Sequence, residues 1–299
     1  MRYHMRHHVL TFALIAMPLA AGAAQQKVDI HRAAIPTVSV RIGGAISNMR
    51  VIGWDKDSIA LTGTIGAGTR FDGGAFNSSG PVQGMKFYIE APDEPSLRAN
   101  KLELRVPTRA RVWIKAGSAE IDASGVTGGL DLNIVGGSIK VSGAPRELMV
   151  ESMDGSVTVN GSPEFARLKT ATGDIVLQGG GEDVTLTTVS GAIRAVDGKI
   201  LRGRFESVTG PIEFTGDLTR GGDAKFDTHS GSIELRLAPR ADVEVDAASI
   251  TGSIENAWSR ARPIAGREGR GMELGISSGM GGARVSIRSF KGNIRLAAK

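Results

Sequence analysis

The chain has 299 residues, with 36 Lys and Arg against 31 Asp and Glu, 41 glycines, no cysteine and aromatic residues at only 5%. With 41% hydrophobic and 22% charged residues, its composition is that of a folded protein and excludes the disordered class. The missing cysteines exclude disulfides, a cysteine-linked lipid anchor and a His/Cys metal centre, so stability has to come from backbone pairing and apolar burial.

Residues 1–24 read as a secretory signal peptide. MRYHMRHH places Arg2 and Arg6 ahead of the uncharged run VLTFALIAMPLA, and the small residues AAGAA follow, with cleavage expected after Ala23 or Ala24. The apolar run is about 12 residues, too short to cross a hydrocarbon core of about 30 Å as a helix. The expectation is an exported protein, periplasmic or at the cell surface, with no transmembrane span after cleavage. Removing Arg2 and Arg6 leaves 36 − 2 = 34 basic against 31 acidic residues, with the signs mixed along the chain. Nucleic-acid binders concentrate positive charge on one face, so nucleic acid is not an expected partner.

Residues 25–106 read as an N-terminal β cap of lead-in strands. GAI (44–46), VIGW (51–54) and IALTGTI (59–65) have strand character, and FDGGAFNSSGPVQG (71–84) is a turn-rich loop. FYIEAP (87–92) and LELRVP (102–107) each end at a proline. Such a segment would cover strand edges that otherwise invite aggregation.

Residues 107–299 repeat. Glycine recurs at Gly117, Gly137, Gly155, Gly173, Gly191, Gly210, Gly231, Gly252 and Gly292, in steps of 18 to 21 residues until a final step of 40. Two and four residues after the glycine stand pairs such as Ile139 and Val141, Val157 and Val159, or Ile233 and Leu235. Seven and five residues before it stand pairs such as Leu130 and Leu132, Leu148 and Val150, or Val285 and Ile287. Alternation of period two marks strands with one buried face. Identical offsets in successive repeats predict an all-β, parallel β-solenoid with coils of 18–21 residues rather than an antiparallel meander. About nine or ten coils at ~4.8 Å make a rod of about 45 Å.

Each glycine then marks a corner, either because the turn needs a positive φ or because neighbouring coils leave no room for a side chain. Three residues earlier stand Ser152, Thr170, Thr188, Ser207, Thr228, Ser249 and Ser289. These hydroxyls are expected to hydrogen-bond up the stack, and no recurring base accompanies them as a nucleophile would require. Residues 256–283 interrupt the period as a loop insertion, with Trp258 beside Arg260, Arg262, Arg267 and Arg270 as a solvated basic loop. RVSIRSFKGNIRLAAK (284–299) restores the motif as a last strand pair.

Chemistry-bearing motifs are sparse. His31 and His229 stand isolated, and no nucleophile elbow, zinc motif or phosphate loop is present. The one suggestive feature is Glu213, Glu234 and Glu255, each three residues after a corner glycine on successive coils. An outward column of carboxylates spaced about 4.8 Å apart could hold calcium or supply the acid pair of a glycosidase. Arg194, Arg204 and Lys225 nearby favour a solvated, partly paired face instead. No catalytic, metal or cofactor residue is therefore assigned, and the glycines from Gly137 to Gly292 are read as structural.

The signal peptide, GWD at 53–55, VP at 106–107 and the turns TATGDIVL (170–177), VSGAIRA (189–195) and HSGSIEL (229–235) carry a resemblance. Over residues 40–299 the chain resembles the bacterial putative-adhesin family of exported repeat proteins, catalogued as a domain of unknown function. The resemblance implies a β-solenoid at the cell envelope with an adhesive or scaffolding role, and it carries over no catalytic residue. The expected function is adhesion, binding or scaffolding without catalysis or cofactor, with an envelope protein or a glycan as partner. The alternatives are a polysaccharide-acting β-helix enzyme using the three glutamates, and a periplasmic scaffold or signalling partner.

Overall fold

Each repeat contains two short runs of alternating apolar and polar residues, and a run of that period buries one face of a strand. In the computed structural model, which describes residues 25–77, 79–266 and 269–299, these runs build two parallel stacks around one continuous core. The expected signal peptide and Arg267 lie outside the described residues. One stack pairs Arg111–Ala116, Gly129–Ile134, Glu147–Ser152, Phe165–Lys169 and Gly181–Thr188 in register. The other pairs Ser118–Ser124, Gly136–Ser142, Ser156–Asn160 and Ile175–Gln178. The long strands Ile193–Ser207 and Ile212–Thr228 pair with each other and contribute one half to each stack. The fold is the all-β parallel solenoid that the repeat predicts.

The alternating residues sit where the period places them: Leu130, Leu132, Leu148 and Val150 are buried in one stack, and Ile139, Val141, Val157 and Val159 in the other. Each such side chain contributes about 1.5–3 kcal/mol of apolar burial. The core is mostly aliphatic, with two aromatic clusters, one of them Phe87 stacked on Phe71 at 5.3 Å. Where Gly203, Ala195 and Ala224 leave space, Phe205 and Phe226 stack with centroids 4.6 Å apart. Phe214 meets both rings edge-on at 5.8 and 5.4 Å.

Stacking order departs from chain order at both ends. Arg284–Ser289 pairs with Ile212–Thr228 on one side and with Val243–Ser249 on the other. Ile294–Ala298 likewise lies between Ile233–Leu237 and Ile254–Asn256. The last coil of the sequence is thus inserted beneath the coil that precedes it. Within the stretch read as lead-in cap, residues 39–54 do the same. Part of Gln26–Gly44 lies between Val82–Glu90 and Arg111–Ala116, and Asn48–Trp54 lies between Lys101–Pro107 and Ser118–Ser124.

Antiparallel strands close the ends. Arg70–Ala75, overlapping the expected loop 71–84, pairs with Val82–Glu90, and Ser58–Ile65 lies between the start of Gln26–Gly44 and Lys101–Pro107. A short helix, Glu94–Ala99, has no repeat signal; Asp93 caps it by accepting from the Ser96 N–H at 2.8 Å. At the far end the insertion is more ordered than a loop. Met272–Ser278 runs antiparallel along Val243–Ser249, and Ile264–Ala265 pairs with it. The Asp242 carboxylate accepts the N–H groups of Met280 and Gly282 at 2.7 and 2.9 Å. Those bonds hold its pKa below the usual carboxylate range and pin the turn that leads into the inserted coil.

The corner glycines follow the spatial order. A Cβ added to Gly173, Gly191, Gly210 or Gly231 would collide with the carbonyl of the glycine one coil earlier. Gly292 would strike the Gly231 carbonyl, and Gly252 that of Gly292, as the inserted coil requires. Among these corners only Gly137 has a positive φ, at 102°, so close approach rather than backbone conformation is the general reason for glycine. Gly117 stands outside the column, because Ala119 is the residue paired with Gly137.

A second column, absent from the sequence reading, lies six or seven residues further on. Gly161 packs on the carbonyl of Gly143, Gly179 on that of Gly161, and Gly198 on that of Gly179. Here Gly143, Gly161 and Gly179 do have positive φ.

Replacing Gly210 with alanine should therefore cost roughly 2–4 kcal/mol and lower the melting temperature by about 5–15 °C. Gly117→Ala, whose added carbon meets nothing within 4 Å, should leave melting nearly unchanged in the same thermal scan.

Candidate functional site

The predicted carboxylate column is broken by the inserted coil. Glu213 pairs in register with Glu234, but Glu234 pairs with Arg295, and Arg295 pairs with Glu255. Each carboxylate also has a cation: Arg194 reaches Glu213 at 3.0 Å, Arg236 reaches Glu234 at 2.7 Å, and Arg295 reaches Glu255 at 3.9 Å. Among the described residues no group of His, Asp and Glu forms a cation cage. The correction to the expected three-carboxylate column is therefore physical: the last strand interposes a guanidinium.

The corner hydroxyls bond both up the stack and within their own corner: Thr188, Thr228 and Ser249 donate to the carbonyls of Ala171, Val208 and Gly292 on the neighbouring coil at 3.3, 3.5 and 3.0 Å. The N–H of Gly155 donates to Ser152, Gly191 to Thr188, Gly231 to Thr228, Gly252 to Ser249 and Gly292 to Ser289, at 2.7–3.1 Å. Each is a side-chain-to-backbone turn closing the corner. A direct hydroxyl–hydroxyl bond between coils joins Thr170 and Thr188 at 3.0 Å.

One residue after each of these hydroxyls, and after Ile134 on the coil before them, the chain presents a mostly apolar outward column. In spatial order the column reads Val135, Met153, Ala171, Val189, Val208, His229, Phe290 and Ile250. Backbone bonds prove the stacking: Ala171 donates to Met153, Val189 to Ala171, Thr209 to Val189, Ser230 to Val208, Lys291 to His229 and Thr251 to Phe290. The side chains point outward, with Val135 51%, Met153 57%, Val189 50% and Phe290 46% exposed. The rings of His229 and Phe290 stack at 5.1 Å. Turn positions ordinarily take Gly, Asn, Asp or Ser, so the fold does not require apolar residues here. The result is an exposed apolar ridge along one edge of the rod, about 35 Å long at the coil spacing. A continuous apolar surface of this kind marks interaction surfaces in monomeric proteins.

Beside the ridge lies a second in-register pair of carboxyls. Glu206 and Asp227 pair in register on adjacent coils. Burial, with the Glu206 charge added, raises the Asp227 carboxyl above its ordinary value. Arg204 ion-pairs with Glu206, and Arg288 with Asp246. The adjacent Ser207 hydroxyl is buried without a hydrogen-bond partner.

The basic insertion is built around Asn256, whose side chain bonds Trp258, Ser259 and Ala261. The Trp258 indole donates to the Ala238 carbonyl at 2.9 Å and packs on the core. Arg260, Arg262 and Arg270 are exposed. His31 bonds the exposed Asp29 at 3.0 Å, so the two histidines lie in different parts of the fold and form no joint site.

Because Glu213, Glu234 and Glu255 are exposed or half-buried and individually paired, replacing all three with glutamine should shift melting by less than about 3 °C. Calcium should raise the melting temperature of neither protein. A calcium-dependent rise that the variant loses would restore the ion-site reading.

No curated protein matches the sequence. The solved structure of a putative adhesin from Bacteroides fragilis NCTC 9343 aligns over 92% of this chain and 98% of its own, with 10% identity and a TM-score of 0.42. A putative cell adhesion protein from Clostridium sporogenes ATCC 15579 aligns over 92% and 99%, with 10% identity and a TM-score of 0.27. Likeness at that level carries no argument about this chain. The sequence itself is more informative: residues 77–297 match the Toastrack family of domains of unknown function, DUF4097, and the chain belongs to that family.

Proposed function

We propose that this is an exported, envelope-associated binding protein, adhesion-like or scaffolding in role, that acts by surface contact rather than by catalysis. The observation that carries the reading is the apolar ridge: exposed valine, methionine, isoleucine and phenylalanine stacked at a corner where the fold accepts any small polar residue. A rigid rod with one apolar edge offers many weak contacts in a fixed line, which suits an extended partner surface. Export rests on the basic, apolar and small-residue order of residues 1–24. Among the described residues no helix is long and apolar enough to cross a membrane.

The polysaccharide-acting alternative now rests on Glu206 and Asp227 rather than on the three glutamates, since that pair has neighbouring carboxyls with one raised. Loss of a measured glycan cleavage in Asp227→Asn, with the fold intact, would establish it.

Protein recovered from the periplasmic fraction should begin at Gln25 or Ala24. The purified mature protein should co-sediment with envelopes of the producing cell. The triple variant Val189→Ser, Val208→Ser and Phe290→Ser should lose about tenfold of that binding while melting within about 5 °C of the parent. Equal sedimentation of the variant and the parent would refute the ridge as the contact surface.

A further inference from the structure

Over most of the rod, in-register stacking sets cations against carboxylates: Arg202 meets Asp183 at 3.1 Å, Arg194 meets Glu213 at 3.0 Å, and Arg146 meets Glu164 at 3.8 Å. Like charges meet at a few places, such as Arg204 beside Lys225, and Arg41 stands at one of them. Arg41 pairs in register with Lys86 on one side and with Trp113 on the other. Two residues on, Gly43 lies between Tyr88 and Lys115. Arg41, Lys86 and Lys115 are all exposed, and none forms an ion pair among the described residues.

The glycine shapes what lies between them. A Cβ placed on buried Gly43 would sit 3.6 Å from the Tyr88 ring and 3.8 Å from the Trp113 ring. Without that carbon, the two aromatic side chains form the walls of a groove whose floor is backbone. The groove has a volume of about 830 Å³, within the range of small-ligand sites, and the three cations line it together with one carboxylate, Glu90, which Arg70 ion-pairs at 3.3 Å. Tyr88 is 48% exposed, so its ring face is available.

We propose that this groove binds a short uronic-acid-bearing saccharide, with Tyr88 and Trp113 stacking on the sugar rings and Arg41, Lys86 and Lys115 receiving the carboxylates. Aromatic rings supply flat, rigid contact area with a polar edge. A guanidinium donates to a carboxylate in bidentate geometry, and each lysine adds a charge-assisted donor. The positive patch ends within one coil: Trp113 pairs with Asp131 and Lys115 with Asn133, and Asn133 in turn pairs with Glu151. A nucleic acid tracking the rod would run into those carboxylates, whereas a saccharide of a few units with sparse charge stays inside the patch. The inference deepens the reading of the protein as an envelope binder by naming a ligand class, and its site is distinct from the ridge.

Isothermal titration of the mature protein tests it with tetragalacturonate and a hyaluronan tetrasaccharide, against cellotetraose and a thymidine tetranucleotide. At least one acidic saccharide should bind about tenfold more tightly than cellotetraose, and raising salt from about 50 to about 300 mM should weaken it severalfold. Trp113→Ala and Tyr88→Ala should each weaken binding about tenfold, and Lys115→Gln about threefold. Lys140→Gln, on the other stack, should leave it unchanged. Circular dichroism of each variant separates lost binding from lost fold. No binding of either acidic saccharide, equal binding of cellotetraose, tighter binding of the tetranucleotide, or full affinity in folded Tyr88→Ala would overturn the proposal. If the saccharides fail while the protein still sediments with envelopes, the groove assignment alone falls. Failure of both removes the envelope-binding reading as well.

Discussion

Neighbouring parallel strands lie about 4.8 Å apart, and this spacing governs what each position of the coil can be. At the corners it brings one backbone directly over another, so that Gly210 lies against the carbonyl of Gly191 and Gly231 against that of Gly210. No side chain fits there. On the inner faces the same spacing stacks aliphatic side chains into one narrow core. On the outer faces it puts charges within reach of one another, coil to coil, and so decides which cations are paired. Fold, surface charge and candidate binding features all descend from one repeated distance.

The inserted coils show what the spacing does not decide. Any coil with glycine at the corner and aliphatics at the right offsets can stack on any other, because the contacts are the same. Chain connectivity usually makes the next coil the neighbour. Here the chain runs out through Met272–Ser278, turns at Asp242-bound Met280 and Gly282, and returns beneath its own preceding coil. Both inserted coils are held by pairing on two sides, and antiparallel strands close the ends. Among the described residues that arrangement leaves no long parallel edge open at either end of the first stack, where another chain could add.

Much of this was legible in the residues. The pairs Ile139 and Val141, Val157 and Val159, and Ile175 and Leu177 announce strand, face and register at once, because side-chain period and repeat length agree. The 40-residue step from Gly252 to Gly292 marked an irregularity, but nothing in the letters distinguishes an extra turn from a coil placed out of order. The expected column of Glu213, Glu234 and Glu255 failed for that reason: Arg295 is remote from all three in sequence except through stacking. The ridge was readable at one residue beyond each hydroxyl, yet alanine and histidine in the series obscured it. The groove was not readable at all, since Gly43 and Tyr88 belong to strands outside the regular repeat and meet Trp113 only through insertion of residues 39–44.

Order of stacking is thus the central claim, and engineered disulfides read it directly because the chain has no cysteine of its own. Strands in contact place their Cα atoms about 5 Å apart, within disulfide reach, while strands one coil further apart exceed the limit of about 7 Å. The double variant E234C/R295C should oxidise to an intramolecular disulfide in the folded protein, and E234C/E255C should remain reduced. Ready oxidation of the second pair and not the first would show that the coils stack in chain order, and would contradict the account.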